Sequence, residues 1–452
     1  MENVKRIYLC LAGSLLLLLS SCLGSDDDES ADWLYSNCQI KSFTLKNDSI
    51  SGLSSVKFTI DQVNGLIYNK DSMAYGTVID EKVVCTITYE VGALSVEVYQ
   101  DATKDSAYWN GSDSLNFSSF VRFDVYSVDG KAVKRYIAKL NVHQQLPDSM
   151  EWTLRESPLL GKTVQDQKVI AHNGSYWMYV KGQDGYELYR SSNAIDWTKS
   201  NLTGLTEKTF ILSQLVSYEG FLYLPTTEGV LYQSVNGTDW SALDGAPVVK
   251  AVLGVVYESG QLKRPSALAT VINDNNKWYY AAMNKELQWQ TGNEISTTFP
   301  VSGFGHVSHE VMYYQRLMVV AGKDRNNQLY NAAWETMDGL QWVQLTDDRA
   351  NSFNKREGIA LTTYDDDFYL FGGIDASNTA KKDIYRSKNK GVTWELVDSL
   401  ITFPDAYKAR GYSSVLVDDD NFILLFGGKE NTSANMLDEL WSGRINRLGF
   451  KD

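Results

Sequence analysis

An aromatic residue, a Ser/Asn/Gly turn and then a tryptophan recur along the last two-thirds of the chain, and this repeat limits what it can fold into. Tyr189 leads to Trp197 through Ser191-Ser192-Asn193, and Tyr232 to Trp240 through Ser234-Val235-Asn236-Gly237. Trp334 leads to Trp342 through Thr336-Met337-Asp338-Gly339. Tyr280 to Trp289 and Tyr385 to Trp394 repeat the unit with one residue more. From Trp197 through Trp240, Trp289 and Trp342 to Trp394 the steps are 43, 49, 53 and 52 residues. A period of that size belongs to propeller blades.

A sixth copy begins at Trp441 without its closing tryptophan. The missing piece stands upstream as Glu151-Trp152-Thr153-Leu154, which matches Trp394-Glu395-Leu396 and precedes Trp197 by 45 residues. An N-terminal-side strand that completes the last blade joins the ends and leaves no free sheet edge. The expectation is an all-β chain whose residues 147–452 form a six-bladed β-propeller, closed by a strand near Trp152. The weaker alternative closes the ring with 444–450.

Within each repeat, four strands are legible. First strands carry small and apolar residues, as in Glu357-Gly358-Ile359-Ala360-Leu361 and Gly411-Tyr412-Ser413-Ser414-Val415. Second strands end in glycine, as in Tyr369-Leu370-Phe371-Gly372-Gly373 and Ile423-Leu424-Leu425-Phe426-Gly427-Gly428, where a Cβ would obstruct close backbone approach. The double glycine followed by a spaced Tyr and Trp resembles the kelch motif. Ser387-Lys388-Asn389-Lys390-Gly391-Val392-Thr393-Trp394 resembles the Asp-box of sialidase-type propellers, with Asn in place of Asp. Only two blades keep the double glycine.

Residues 33–146 read as a β-sandwich of immunoglobulin-like size. Val56, Phe58 and Ile60 alternate with polar neighbours, as do Val121, Phe123 and Val125. Asp129-Gly130 then turns the chain into a return strand bearing Tyr136, Ala138, Leu140 and Val142. The Cys…Trp…Cys framework of antibody domains is missing. With Cys10 and Cys22 set aside, Cys38 and Cys85 remain. An oxidising compartment permits a disulfide between them, and two buried free thiols fit as well.

Residues 1–22 read as a targeting segment, with a basic start at Lys5 and Arg6 and an apolar core from Leu9 to Leu19. Leu19-Ser20-Ser21-Cys22 resembles a bacterial lipobox, which implies lipidation of Cys22. The acidic tether over 23–32 contains Asp26-Asp27-Asp28-Glu29. It resembles the export signal that sends Bacteroidota lipoproteins to the outer face of the outer membrane; the inner leaflet stays open. Six Asp-Ser pairs resemble the O-glycosylation site of exported Bacteroidota proteins, with Ser49, Ser72, Ser106, Ser114, Ser149 and Ser399 as acceptors. Asp-Ser is also common in turns. Lipobox, acidic tether and domain order together resemble a Bacteroidota surface-lipoprotein family with a sandwich and a C-terminal propeller. That resemblance implies an anchor and an address, and brings no activity.

Charge narrows the partners. The chain carries −14; Glu2, Lys5 and Arg6 together contribute +1, so the mature chain carries −15. Such a chain repels polyphosphate, which argues against nucleic acid. The expected partners are a membrane, through the lipid, and a glycan or an outer-membrane protein.

No complete catalytic set is legible. A sialidase-type Arg-Ile-Pro stretch is missing, and no Cys follows Cys85 to modify a tyrosine for copper chemistry. The repeated Trp and Tyr residues read as inter-blade packing, and Asp365-Asp366-Asp367 and Asp418-Asp419-Asp420 as hairpin turns. His306 and His309, three apart on a strand, face opposite ways and share no metal. Neither metal nor cofactor is expected. Arg356, Arg410 and His306 occupy equivalent positions where the first strands of three consecutive blades begin. There they either converge on an anionic ligand at the channel mouth or pair with neighbouring carboxylates. The loops after second strands share that face: 183–184, Asp324-Arg325-Asn326-Asn327, 375–378 and 429–435. They lengthen toward the C-terminus, which favours the later blades as a binding edge. The leading expectation is a non-catalytic surface lipoprotein presenting this face to a glycan or protein. A glycan hydrolase with carboxylates at the channel mouth is the alternative.

Overall fold

The computed structural model describes residues 36–446 except 80–81, 101–105, 112–113, 145, 261–263 and 347–352. The leader, Cys22 and the acidic tether lie outside the described residues, as do residues 447–450. The chain divides into two compact units, one ending at Pro147 and one spanning Asp148–Asn446. Among the described residues no helix is long and apolar enough to cross a membrane.

The first unit sets two sheets on one apolar core. Ile40–Lys46, Val83–Tyr89 and Ser114–Leu115 form a three-stranded sheet; six strands, centred on Val121–Ser127 and Val133–Lys139, form the other. Period-two alternation drives this, since every second residue of a strand faces the same side. Phe43, Leu45, Val83 and Cys85 from one sheet meet Val96, Val121, Phe123 and Tyr136 from the other. Each fully buried side chain of this kind contributes roughly 1.5–3 kcal/mol. The Tyr136 hydroxyl ties the sheets, accepting from the Ile40 N–H at 3.1 Å and donating to Gln62 at 2.6 Å.

Cys38 and Cys85 are both buried and both free, so the disulfide expectation is corrected. The register gives the reason. Cys85 lies opposite Leu45, whereas Cys38 precedes Ile40, which lies opposite Tyr89. The strand from Ile40 to Leu45 alone carries the chain about 17 Å along the sheet, whereas bridged Cα atoms lie within about 7 Å. Burial raises both thiol pKa values, keeping them protonated.

The second unit consists of six four-stranded antiparallel sheets and one short two-stranded ribbon. Sheets one to five open with first strands Asp166–His172, Val216–Tyr218, Val248–Val256, Gly305–Val311 and Ala360–Tyr364. The sixth opens with Ser414–Val417, and its outer strand is Met150–Glu156 from the start of the unit, paired with Leu440–Ile445. Arg356–Glu357, expected within a first strand, instead pairs with Ile374–Asp375 as the ribbon, because the chain bends at Gly358 (φ 66°).

Six apolar clusters hold consecutive sheets together. Tyr179 and Leu188 of the first sheet meet Leu222 and Trp240 of the second. The second and third share Tyr223 and Val252, and the third and fourth share Tyr280 and Trp334. Met318 packs with Phe368 between the fourth and fifth, and Phe371 with Trp441 between the fifth and sixth. The sixth returns to the first, with Phe426 and Leu440 against Val169 and Met178.

The Ser/Asn/Gly turns lock these contacts. Asn236 Oδ1 accepts the N–H groups of Thr238 (3.0 Å) and Asp239 (2.9 Å), while its amide donates to Asp239 at 2.7 Å. Asn193 does the same with Ile195 and Asp196. Asp338 makes only the accepting half, to Leu340 and Gln341. Asparagine in place of aspartate thus adds a donor that braces the residue before the tryptophan. Gly237 sits at φ 69° where an added methyl would overlap the Trp177 ring, so the turn presses on the preceding sheet.

Candidate functional site

The first strands of all six sheets converge on one central cavity of about 300 Å³. Three equivalent residues just before the first strands of the fourth, fifth and sixth sheets line it: Gly303, Gly358 and Tyr412. All three have left-handed backbones, with φ of 62°, 66° and 60°. The Gly358 N–H donates to Gly303 O and the Tyr412 N–H to Gly358 O, each at 2.6 Å, so the three are linked in series. Two are glycine, as that conformation favours. The third is an aromatic residue, for which it is strained.

Tyr412 lines the cavity and donates its hydroxyl to Glu357 Oε2, while Lys323 holds Glu357 Oε1 at 2.6 Å. Burial first, then the Glu357 charge and hydrogen bond, raise the phenol pKa, so Tyr412 stays protonated. Asp166 and Lys168, two residues apart on the first strand of the first sheet, line the same cavity. Desolvation draws the Lys168 ammonium down to about 8 against the opposing pull of Asp166. Burial raises the Asp166 carboxyl despite the nearby lysines, Lys429 foremost.

His306 also lines the cavity, but not at the place expected. Ser302 bridges to Lys323, Glu357 to Ile374 and Gly411 to Lys429. That register makes Val301 the equivalent of Arg356 and Arg410, and His306 lies five residues further on. Desolvation, with the Lys168 charge adding, pushes its pKa down to about 3, so the ring is neutral. His309, on the opposite face of the strand, packs on Phe368 and approaches Glu335 at 3.1 Å. Among the described residues no group of three or more His, Cys, Asp or Glu side chains is placed to hold a metal.

Arg356 and Arg410 do not face a ligand. Each is only 1% exposed. Arg356 donates to Asn354 O and Gly372 O, both at 3.0 Å, and forks onto Asp383 at 2.6 and 3.1 Å. Arg410 repeats this on Lys408 O (2.8 Å), Gly427 O (3.0 Å) and Glu439. The ligand reading of these two arginines is therefore corrected: their donors are used within the sheets. Asp324 is also buried, and its Oδ1 braces its own loop by accepting the Asn326 and Gln328 N–H groups at 2.8 Å. Arg325 and Asn326 are exposed on that loop, outside the lining of the central cavity.

The loops after the second strands of the fourth, fifth and sixth sheets enclose a second, more open groove of about 460 Å³. Asn327, Gln328, Asp375, Asn378 and Thr432 line it together with Lys323, Lys355 and Glu357. Its charges are largely matched, with Lys323 on Glu357 and Lys381 on Asp375, each at 2.6 Å. Asn378 Oδ1 accepts from the N–H and hydroxyl of Thr432, both at 2.9 Å. Its Nδ2 has no protein partner among the described residues. What remains for a ligand is chiefly the amides of Asn327, Gln328 and Asn378, with the Thr432 hydroxyl beside them.

This arrangement of sheets around a central cavity defines a β-propeller, a fold that suits a binding or scaffolding module at most. Residues 146–452 match the family model described as the DUF6242 beta propeller domain. Residues 36–140 match that of the DUF6242 N-terminal domain, a domain of unknown function. The chain belongs to the DUF6242 family. Among solved structures, one described as "Structure of YjhT" is similar over 62% of this chain and 95% of its own, with a TM-score of 0.45 and 14% identity. No curated protein matches the chain.

Proposed function

We propose that the chain is a non-catalytic, lipid-anchored surface protein whose six-bladed, kelch-like propeller offers the groove of its fourth to sixth blades to a glycan. The observation that carries this is the gathering of three loops into one groove lined by three amides and a hydroxyl, with Lys323 and Asp375 paired to opposite charges. Such a lining suits an uncharged ligand rich in hydroxyl groups, because each amide gives and accepts a hydrogen bond. The cyclic order of the apolar clusters and the pairing of Met150–Glu156 with Leu440–Ile445 support a ring closed by an N-terminal-side strand. The immunoglobulin-like character of the first unit and a Bacteroidota origin belong to the same reading. Ser49, Ser106, Ser114 and Ser399 are exposed, as acceptors of O-glycans must be, whereas Ser72 and Ser149 are half-buried.

A glycan screen with residues 23–452, with products analysed, tests the groove. Saturable binding without turnover is expected. Asn378→Ala should weaken it about tenfold, the value of one hydrogen bond of about 1–1.5 kcal/mol. Turnover, or an unchanged affinity in that variant, overturns the reading. Anchoring is tested separately. Cys22→Ala should move the protein from the membrane fraction to the soluble fraction, since acyl chains supply the membrane affinity. Retention at the membrane would exclude the lipid anchor.

A further inference from the structure

We propose that the central cavity is a second ligand site, separate from the groove, which takes a small hydroxylated monocarboxylate. Its carboxylate sits on the Lys168 ammonium and one of its hydroxyls on Tyr412.

Lys168 is the first support. Buried and half-buried cations elsewhere in the unit are matched: Arg356 by Asp383, Arg410 by Glu439, Lys323 by Glu357. Lys168 lines the cavity, and among the described residues no carboxylate forms an ion pair with it, Asp166 acting on it from further off. An ammonium held away from bulk water without a partner is costly, and an anion entering the cavity removes that cost. The other titratable groups lining the cavity are Asp166, Tyr257, His306 and Tyr412. None is a cation, because His306 is neutral. One ammonium and a nearby Asp166 suit a ligand with one negative charge and disfavour two.

Tyr412 is the second, independent support. It replaces the glycine of its two sister blades in a backbone conformation that costs a non-glycine residue about 1–3 kcal/mol, and such strain concentrates at ligand clamps. The replacement brings a hydroxyl into the lining. Since that hydroxyl donates to Glu357, its oxygen is left to accept a hydrogen bond from a ligand hydroxyl. Ser217, Ser308, Ser413 and neutral His306 supply further polar lining. The volume is at the small end of small-molecule sites, which fits a single short-chain acid and excludes an oligomer.

Calorimetric titration of the full chain with gluconate, glucuronate and lactate tests this, against sorbitol (hydroxyls without a carboxylate) and acetate (a carboxylate without hydroxyls). At least one hydroxy acid should bind at least tenfold more tightly than sorbitol and acetate. Lys168→Met should abolish that preference, and Tyr412→Phe should weaken binding several-fold while lowering the thermal midpoint only by the loss of its bond to Glu357. Binding should fade as pH rises through about 8, where the empty site's ammonium loses its proton. Should Lys168→Met fail to fold, reductive methylation of the unaltered protein replaces it: the bound acid should protect Lys168. Equal binding of sorbitol, binding that survives Lys168→Met, unprotected Lys168, or no saturable binding of any acid overturns the proposal. Asn378→Ala should leave this binding unchanged, so failure here and failure of the groove reading are told apart.

Discussion

Arg410→Ala should lower the stability of the 148–446 unit by about 3–5 kcal/mol, the cost of breaking one side of a buried ion pair. For a unit of this size that is a fall in thermal midpoint on the order of ten degrees. Three groups lose their donor at once: Lys408 O, Gly427 O and the Glu439 carboxylate. The carbonyls sit where water does not easily replace the guanidinium, since Arg410 is 1% exposed. Glu439 keeps its bond from the Trp441 indole at 2.8 Å, but one donor does not neutralise a carboxylate. Arg410→Lys should recover only part of the loss, because an ammonium is a point charge that does not span three acceptors. Arg356→Ala should behave alike, as its partners are equivalent. Arg325→Ala, on an exposed loop, should stay within about 0.5 kcal/mol. Urea denaturation followed by tryptophan fluorescence measures all four. A loss below about 1 kcal/mol for both buried arginines would show that they are not the clasps described here.

The arginines also show what a lone sequence discloses and where it stops. Their equivalence is legible from the glycines around them, but their role depends on Asp383 and Glu439, 27 and 29 residues downstream. The spacing differs by two residues between the two blades, and nothing local marks those acids among so many. His306 lies five residues out of register with the arginines because the fourth sheet carries Val301 where its neighbours carry arginine, which removes the landmark. Tyr412 was open to view as the exception among Ser302-Gly303, Glu357-Gly358 and Gly411-Tyr412. Its consequence follows only once the backbone is known to be left-handed there. Asp166 and Lys168 gave no signal, since the first sheet's opening strand has no glycine to align. The tryptophan turns were legible because their hydrogen bonds are local, running from one side chain to backbone two to four residues on. Long-range pairing of charges has no such trace.

Removing residues 148–157 should have the largest effect of any change considered, leaving the second unit unable to reach a cooperative fold. The strand Met150–Glu156 runs antiparallel to Leu440–Ile445 over most of its length, with Trp152 opposite Gly443. Trp152 is buried against Phe403 and Phe371, with ring centroids 4.4 and 5.8 Å away, and its indole N–H donates to Ile401 O at 3.1 Å. Gly443 is glycine for this reason: a methyl there would meet the Trp152 ring. Without the strand, Leu440–Ile445 becomes an open edge whose unpaired backbone groups invite association with other chains. The apolar cluster between the fifth and sixth sheets also loses Met150 and Trp152. Trp152→Ala alone should cost about 3–5 kcal/mol, as large-to-small changes at buried aromatics do, while leaving the strand's backbone pairing in place. The truncated protein should elute as aggregate and show no sharp thermal transition, and a synthetic peptide of residues 148–157 should restore part of that transition. A truncated chain that stays monomeric and melts at the midpoint of the intact protein would mean that the sixth sheet closes without Trp152. The ring, the cavity at its centre and the groove on its face would then all need a different origin.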